Sequence, residues 1–252
     1  MNLNERCKVR ILVLFLIISG SVYGDTNAKI ISMAVTDWPP YTGTELLNYG
    51  IASEIVTESF RKVGYTTEMT FMPWARLLEE VRIGNYDGAV AAYWTKDRAE
   101  SYRYSESFLK SPLVFYKRTE DQITWSEYED LKNYRIGIVR SYANSKELDQ
   151  ADYLDKEVVN TDIFNLKKLL AGHIDLAVID QFVAQNIIIS DIGLFRDLLE
   201  PIEPALAVHS LHVMFTNNRP NANVNADLFH QGLAILKEDG GLSRILHKHG
   251  FD

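Results

Sequence analysis

Cysteine is almost absent from this chain of 252 residues, in which Cys7 is the only one. It precedes a nine-residue apolar run, residues 11–19, which has three basic residues before it and small residues after it that end at Gly24. This arrangement is typical of a secretory signal peptide, so we predict that residues 1–24 are a signal cleaved after Gly24. The exported chain would then have no disulfide and no cysteine for a lipid anchor.

Long apolar runs and an excess of positive charge are missing as well. A membrane-spanning helix needs roughly twenty apolar residues, and no run in the sequence approaches that length. The formal charge is −8, and loss of the signal with its three basic and one acidic residues would make it −10. An acidic exported chain is a poor partner for nucleic acid or for anionic membranes. We therefore predict a periplasmic protein that is not inserted in a membrane.

The sequence also lacks the usual motifs of catalysis and of cofactor or metal binding. It contains no G-x-S-x-G, G-x-x-x-x-G-K or G-x-G-x-x-G pattern. The histidine pairs His209/His212 and His247/His249 have no third ligand nearby in the sequence, which disfavours a metal site. We expect no cofactor, no metal and no enzymatic activity, although carboxylate chemistry at Asp37 stays open.

A repeated phrase is the most informative feature that is present. Residues 84–90 read GNYDGAV, and residues 172–178 read GHIDLAV. Each copy follows an amphipathic segment and precedes a short apolar run. We interpret each as the end of a helix, a tight turn and the start of the next parallel strand, with Asp87 and Asp175 accepting backbone hydrogen bonds in the turns.

The order of predicted elements places this phrase in two similar units. The first unit alternates strands and helices, β-α-β-α-β, and the second repeats the alternation, which indicates mostly parallel sheets flanked by helices. The predicted strands are 29–35, 66–72, 88–94, 134–141, 156–161, 174–179 and 211–220, with a further strand that starts at Leu113 between the two units. The predicted helices are 51–63, 73–83, 162–171, 181–189 and 223–238.

Ligands of open α/β sheets bind beyond the carboxyl ends of the strands. Those ends carry aromatic, hydroxyl, arginine and carboxylate side chains, a combination that suits a small charged or zwitterionic molecule. The candidate ligand-binding residues are Trp38, Tyr41, Trp74, Arg76, Tyr93, Thr95, Arg98, Arg140, Ser141, Tyr142 and Asp180. Structural roles remain open for several of them: Trp74 could pack in the core, Arg76 could be a solvated charge, and Asp180 could be a helix N-cap.

Several ordered motifs carry a resemblance to a known family. They include DWPPYTG at 37–43, TKDR at 95–98 followed by YSESF at 104–108, and GHIDLAVID at 172–180. With them, the chain resembles the family 3 extracellular solute-binding proteins, the amino-acid-binding receptors of ABC importers. The resemblance implies a two-lobed periplasmic-binding-protein fold in which each lobe is a mostly parallel sheet flanked by helices and two hinge strands join the lobes. Lobe one would be 25–115 plus 211–252, including the C-terminal helices, and lobe two 116–210.

The resemblance also implies roles for individual residues. Arg98 would bind the ligand α-carboxylate and Asp180 the α-ammonium. Trp38 or Tyr41 would form an aromatic wall, and Ser141 and Tyr142 would supply backbone donors. The sequence departs from the family pattern at two places that bear on which ligand it binds. AAYW, residues 91–94, replaces a small hydroxyl-rich run, and the glycine expected near Ser141 is absent.

The implied function is capture of an amino acid or similar small zwitterionic or anionic solute and its delivery to an ABC permease in the inner membrane. Arg76 and Arg140 would favour extra negative charge on the ligand if they face the cleft. Two alternatives stay open: a component that presents its ligand to a membrane sensor, and an enzyme that resembles the periplasmic cyclohexadienyl dehydratases and uses Asp37.

Overall fold

The computed structural model describes residues 29–251, so the predicted signal peptide lies outside the described residues. Within that range the strands are β1 (Lys29–Val35), β2 (Tyr65–Phe71), β3 (Gly88–Tyr93), β4 (Tyr102–Tyr104), β5 (Leu109–Arg118), β6 (Arg135–Val139), β7 (Asp155–Val159), β8 (Leu176–Asp180) and β9 (Leu199–Thr216). The helices are α1 (Ile51–Lys62), α2 (Trp74–Arg82), α3 (Lys96–Ser101), α4 (Lys146–Gln150), α5 (Asp162–Leu170), α6 (Gln181–Ser190), α7 (Ala222–Glu238) and α8 (Gly241–Lys248). None of these helices is long and apolar enough to cross a membrane.

The strands form one curled mixed sheet in the order β2-β1-β3-β9-β5-β8-β6-β7, with β4 paired to β9. β1 pairs in parallel with β2 and β3, and β6 pairs in parallel with β7 and β8, as the alternation of strands and helices predicts. Every residue of β3 and β8 is buried, which is typical of parallel strands covered by helices on both faces.

Two antiparallel strands, β5 and β9, join the two parallel sets. β9 is 18 residues long and pairs with β3 near its carboxyl end and with β5 over most of its length. β5 in turn pairs with β8, so the sheet continues from one parallel set to the other. The chain leaves β5 and re-enters β9 at adjacent points, where the Thr119 N–H donates to the Leu198 carbonyl at 3.0 Å. This topology confirms the two-lobed fold with two hinge strands, whereas the lobe boundaries given above stay a prediction.

The repeated phrase has the same structure in both copies. Gly84 and Gly172 follow α2 and α5 with φ of 86° and 71°, the left-handed conformation that commonly ends a helix and favours glycine. Asp87 accepts from the Ser32 N–H at 2.8 Å, and Asp175 accepts from the Arg135 N–H at the same distance. Each aspartate therefore ties its turn to the start of the neighbouring parallel strand, which confirms the structural interpretation.

The C-terminal helices pack on the side of the first parallel set. α7 crosses α1 so closely that a Cβ atom on Gly232 would lie 1.8 Å from the Ser59 carbonyl oxygen. The Phe60 and Phe229 rings meet at 5.8 Å in the same contact. The family resemblance predicts that the C-terminal helices pack on this side, which the sequence pattern alone did not determine.

Candidate functional site

A small cavity lies between the two parallel sets of strands, beyond the carboxyl ends of β1, β3 and β6. Its lining is mostly aromatic and apolar: Thr36, Trp38, Trp74, Ala91, Tyr93, Arg98, Tyr142 and Ala143. The cavity volume is about 30 Å³, which is room for about two or three water molecules. The carboxyl ends of the strands thus bring five of the predicted residues to one place: Trp38, Trp74, Tyr93, Arg98 and Tyr142.

Arg98 supplies the positive charge of this cavity. It lies in α3, where its backbone N–H donates to the Oγ1 of Thr95, the N-cap residue, at 3.2 Å. Its guanidinium donates to the carbonyls of Tyr93 at 3.2 Å and Ser141 at 2.7 Å, and it lies 5.3 Å from the Trp74 ring centroid. Desolvation lowers the Arg98 pKa below its ordinary value. In the described chain its hydrogen bonds are to neutral oxygens, so a ligand carboxylate would find an uncompensated cation.

The Ser141 carbonyl holds the two sides of the cleft together. Besides Arg98 it accepts from the Trp74 indole N–H, at 3.1 Å, and both donors come from the opposite side. Ser141 has a φ of 62°, in the left-handed region that favours glycine. The glycine that the resemblance leads one to expect here is thus replaced by a serine that adopts a glycine-like conformation.

Asp180 lies behind the cavity wall and is only 2% exposed. One carboxylate oxygen caps α6 by accepting from the Val183 N–H at 2.9 Å. The other accepts from the Tyr41 hydroxyl at 3.0 Å and from the Ser111 hydroxyl at 2.5 Å. Burial raises the pKa of Asp180 to about 6. The N-cap alternative is confirmed, and both oxygens already have donors within the protein.

The remaining predicted residues lie away from the cavity lining. Tyr41 is fully buried and packs against Trp38 with ring centroids 4.7 Å apart. Arg76 is exposed and pairs with Glu80 at 3.4 Å. Arg140 is also exposed, and its guanidinium donates to the Asn160 side chain at 3.4 Å.

Asp162 is a buried carboxyl group that the sequence interpretation passed over. It is 6% exposed, accepts from the Tyr142 hydroxyl at 3.2 Å, and has the Trp38 indole nearby. The Trp38 Nε1 makes no hydrogen bond of full geometry, so this contact is weak. Desolvation raises the pKa of Asp162 to about 7, and the neighbouring Asp180 charge adds to the increase. Asp162 directly follows Asn160 and Thr161 at the end of a predicted strand. This position beyond a strand end could have identified it as a candidate site residue.

His209 was also missed as a residue of the cleft. Its ring stacks on Tyr93 with centroids 4.3 Å apart, and its Nε2 lies 2.5 Å from the Asn144 carbonyl. Burial lowers the His209 pKa below its ordinary value, so the ring is neutral at neutral pH. Among residues 29–251, no group of three or more histidine, cysteine, aspartate or glutamate side chains is arranged to hold a metal ion.

Two α/β lobes joined by paired hinge strands, with a charged aromatic cleft between them, define the class of two-lobed binding proteins. The chain belongs to the bacterial extracellular solute-binding proteins, family 3, whose family model matches residues 30–252. No curated protein matches the sequence.

Solved structures share the fold at low sequence identity. A histidine kinase sensor domain with similarity to periplasmic binding proteins aligns with a TM-score of 0.77 and 22% identity, covering 88% of this chain and 96% of that one. The P235GK mutant of ArgBP from T. maritima aligns at 0.75 and 15%, with the same coverage. The GluR0 ligand-binding core from Nostoc punctiforme, in complex with L-glutamate, aligns at 0.73 and 17%, covering 88% and 100%. These likenesses show the shared fold alone.

Proposed function

We propose that this protein is exported to the periplasm, captures an amino acid or similar small zwitterionic solute in its cleft, and delivers it to an ABC permease. The observation that carries the proposal is Arg98, a half-buried cation that lines the cavity and is hydrogen-bonded to carbonyl oxygens. Similar folds from T. maritima and Nostoc punctiforme are described as ArgBP and as a glutamate complex, which supports an amino-acid-like ligand.

The proposed binding cycle uses the Ser141 contact as a latch. Separation of the lobes breaks the hydrogen bonds from Trp74 and Arg98 to the Ser141 carbonyl, at a net cost of about 1 kcal/mol each. An entering carboxylate takes the freed guanidinium donors, and the lobes close over the ligand. Micromolar binding corresponds to about −8 kcal/mol, which exceeds the cost of opening.

The binding claim is tested by a thermal-shift screen followed by calorimetry. The chain from residue 25 onward is unfolded and refolded to remove any carried ligand, then screened with amino acids, small peptides, dicarboxylates and polyamines. A ligand at a hundred times its Kd adds about 2.7 kcal/mol of stability. Arg98→Ala should abolish the shift, whereas Arg76→Ala, an exposed control that does not line the cavity, should keep it. Undiminished binding in Arg98→Ala would exclude the site.

Asp180→Ala is a less selective test than Arg98→Ala. Its removal would leave the Tyr41 and Ser111 hydroxyls and the Val183 N–H without their acceptor, so loss of stability would accompany any loss of binding.

Export is tested separately, by N-terminal sequencing of the periplasmic product, which should begin at residue 25. Delivery is tested by reconstituted uptake with a candidate permease.

Two other functions remain alternatives. The structural likeness to a kinase sensor domain makes ligand presentation to a membrane sensor the first, and capture by a receptor ectodomain rather than a permease would support it.

The second alternative is an enzyme. Asp37 is a poor candidate for catalysis because its carboxylate is exposed and accepts from the Thr44 N–H at 2.8 Å. Asp162 is the better acid, with a pKa of about 7. Turnover of prephenate or arogenate that is lost in Asp162→Asn would favour the enzyme.

A further inference from the structure

The aromatic rings of the cavity stand nearly at right angles to one another. Trp38 meets Tyr93 at 5.8 Å with an angle of 75°, and meets Tyr142 at 6.5 Å with an angle of 79°. Trp74 meets Tyr142 at 6.4 Å with an angle of 89°. Three of these rings belong to one lobe and Tyr142 belongs to the other, so lobe movement changes the space between them. Walls of this kind present π faces from different directions to whatever they enclose.

Several hydrogen-bond acceptors around this cavity already have donors within the protein. The Tyr93 carbonyl accepts from Arg98 and from the Tyr104 hydroxyl, and the Ser141 carbonyl accepts from Trp74 and Arg98. A carbonyl oxygen has two lone pairs, so each of these has its full set of donors while the cleft is closed and empty, and a ligand carboxylate would compete with them for Arg98. Asp180, the acceptor expected from the resemblance, also has donors on both oxygens.

A primary ammonium group carries three N–H donors, and each must find an acceptor when it is desolvated. Ala91, rather than a hydroxyl-bearing residue, lines the cavity where the resemblance leads one to expect hydroxyls. Apart from the Thr36 hydroxyl, the lining therefore offers few free acceptors to an unmodified α-ammonium. It is a good match for a cation whose surface is made of methyl groups, because such a cation has no N–H donors and is attracted to aromatic faces.

Charge at the two ends of the cavity fits the same ligand. Arg98 provides a cation for a carboxylate, and it lies over the Trp74 ring. Behind the other rings lie two buried carboxyl groups: Asp162, bonded to the Tyr142 hydroxyl, and Asp180, bonded to Ser111. Ser111 also hydrogen-bonds the Tyr93 hydroxyl. When ionised, these groups make the side of the cavity formed by Tyr93 and Tyr142 favourable for positive charge.

We propose that the solute of this cleft is a betaine-type zwitterion, whose carboxylate binds Arg98 and whose N-methylated ammonium is enclosed by Trp38, Tyr93 and Tyr142. This proposal rests on the proposed function of zwitterion capture. It names the class of solute and assigns the aromatic rings the recognition of the cation.

The test compares probes that differ in one property. Glycine and glycine betaine, and proline and N,N-dimethylproline, differ only by N-methylation. Glycine betaine and 3,3-dimethylbutanoate have the same shape and differ only by the positive charge. By calorimetry on the refolded chain, we expect each methylated zwitterion to bind about tenfold or more tightly than its unmethylated partner. Glycine betaine should also bind about tenfold or more tightly than 3,3-dimethylbutanoate, which lacks the cation.

Variants separate the aromatic contribution from general packing. Tyr142→Phe keeps the ring and should keep the preference for methylated probes, whereas Tyr142→Leu and Trp38→Leu should reduce it. Trp94→Leu is the matched control, because Trp94 is 53% exposed and does not line the cavity. Circular dichroism checks that each variant is folded, and the probe pairs on the unmodified sequence decide the question even if a variant fails.

Each outcome has a defined meaning. If unmodified amino acids bind and methylated ones do not, the inference is overturned and the proposed function stands. If 3,3-dimethylbutanoate binds as tightly as glycine betaine, the aromatic rings recognise only the apolar shape and the inference is again overturned. If no zwitterion of either kind binds, both the inference and the proposed function fail.

Discussion

Replacing Asp162 by asparagine should make the folded protein more stable at alkaline pH and leave it unchanged at acid pH. The carboxyl group is buried in the cleft wall, and burial raises its pKa from an ordinary value of 3.8 to about 7. Between these two values the folded chain holds a proton that the unfolded chain has released. Stability from this group is therefore full below about pH 4 and is lost as the pH rises to about 7.

The size of the effect follows from the two pKa values. One pKa unit corresponds to about 1.4 kcal/mol, so ionised Asp162 costs the folded state up to about 4 kcal/mol above pH 7. Asparagine has a similar shape, carries no charge and can accept the Tyr142 hydrogen bond. Asp162→Asn should therefore match the unmodified protein at pH 4 and exceed its free energy of unfolding by up to about 4 kcal/mol at pH 8.

Equilibrium urea unfolding at several pH values between 4 and 8 measures this difference directly. Asp155→Asn, an exposed carboxylate at the start of β7, is the control, and its difference from the unmodified protein should be small at every pH. A variant that is less stable than the unmodified protein at pH 8, or a gain that does not depend on pH, would refute the reasoning. The first result would mean that ionised Asp162 stabilises the folded chain, and the second that folding does not raise its pKa.

Three further predictions concern the fold and the site. Asp87→Ala and Asp175→Ala should each lower the free energy of unfolding by about 1–3 kcal/mol, because each leaves a strand N–H without its acceptor. Calorimetry should find the ligand Kd unchanged in both variants. Loss of binding without loss of stability would contradict their structural role. Gly232→Ala should lower Tm, by an overpacking cost of about 1–3 kcal/mol or more, because its Cβ would overlap the Ser59 carbonyl; an unchanged Tm in a thermal melt would mean that the helix contact is looser than described. Arg98→Lys should weaken ligand binding by about tenfold or more, because an ammonium cannot reproduce the planar two-point pairing with a carboxylate; equal affinity by calorimetry would mean that only charge matters there.

Much of the fold could be predicted because local signals and tertiary structure agree. The alternating apolar residues of β1 predict its observed bounds, and α2 begins directly after Pro73, as a proline in the first turn suggests. The first half of β9 was missed, and Pro201 and Pro204 explain why. Proline disfavours strands, and here the pairing with β5 overrides that propensity, with a register shift between the flanking pairs.

The site was predicted less well because side-chain direction depends on tertiary structure. Trp74 and Arg76 are two residues apart near the start of one helix, which places them about 200° apart around its axis. Trp74 therefore faces the cavity while Arg76 faces solvent. Asp162 was overlooked because its burial depends on Tyr142 and Trp38, which are distant in sequence. No local pattern encodes such an encounter.

The hydrogen bond between Thr119 and Leu198 has an evolutionary consequence. The chain between these residues is a single insertion whose two ends meet, so it can be exchanged as a block without rerouting the rest of the polypeptide. Such an exchange would replace Ser141 and Tyr142 while keeping Arg98 and its aromatic neighbours. New ligand preferences could then arise by recombination of half-sites between related genes, with one half of the recognition chemistry inherited intact.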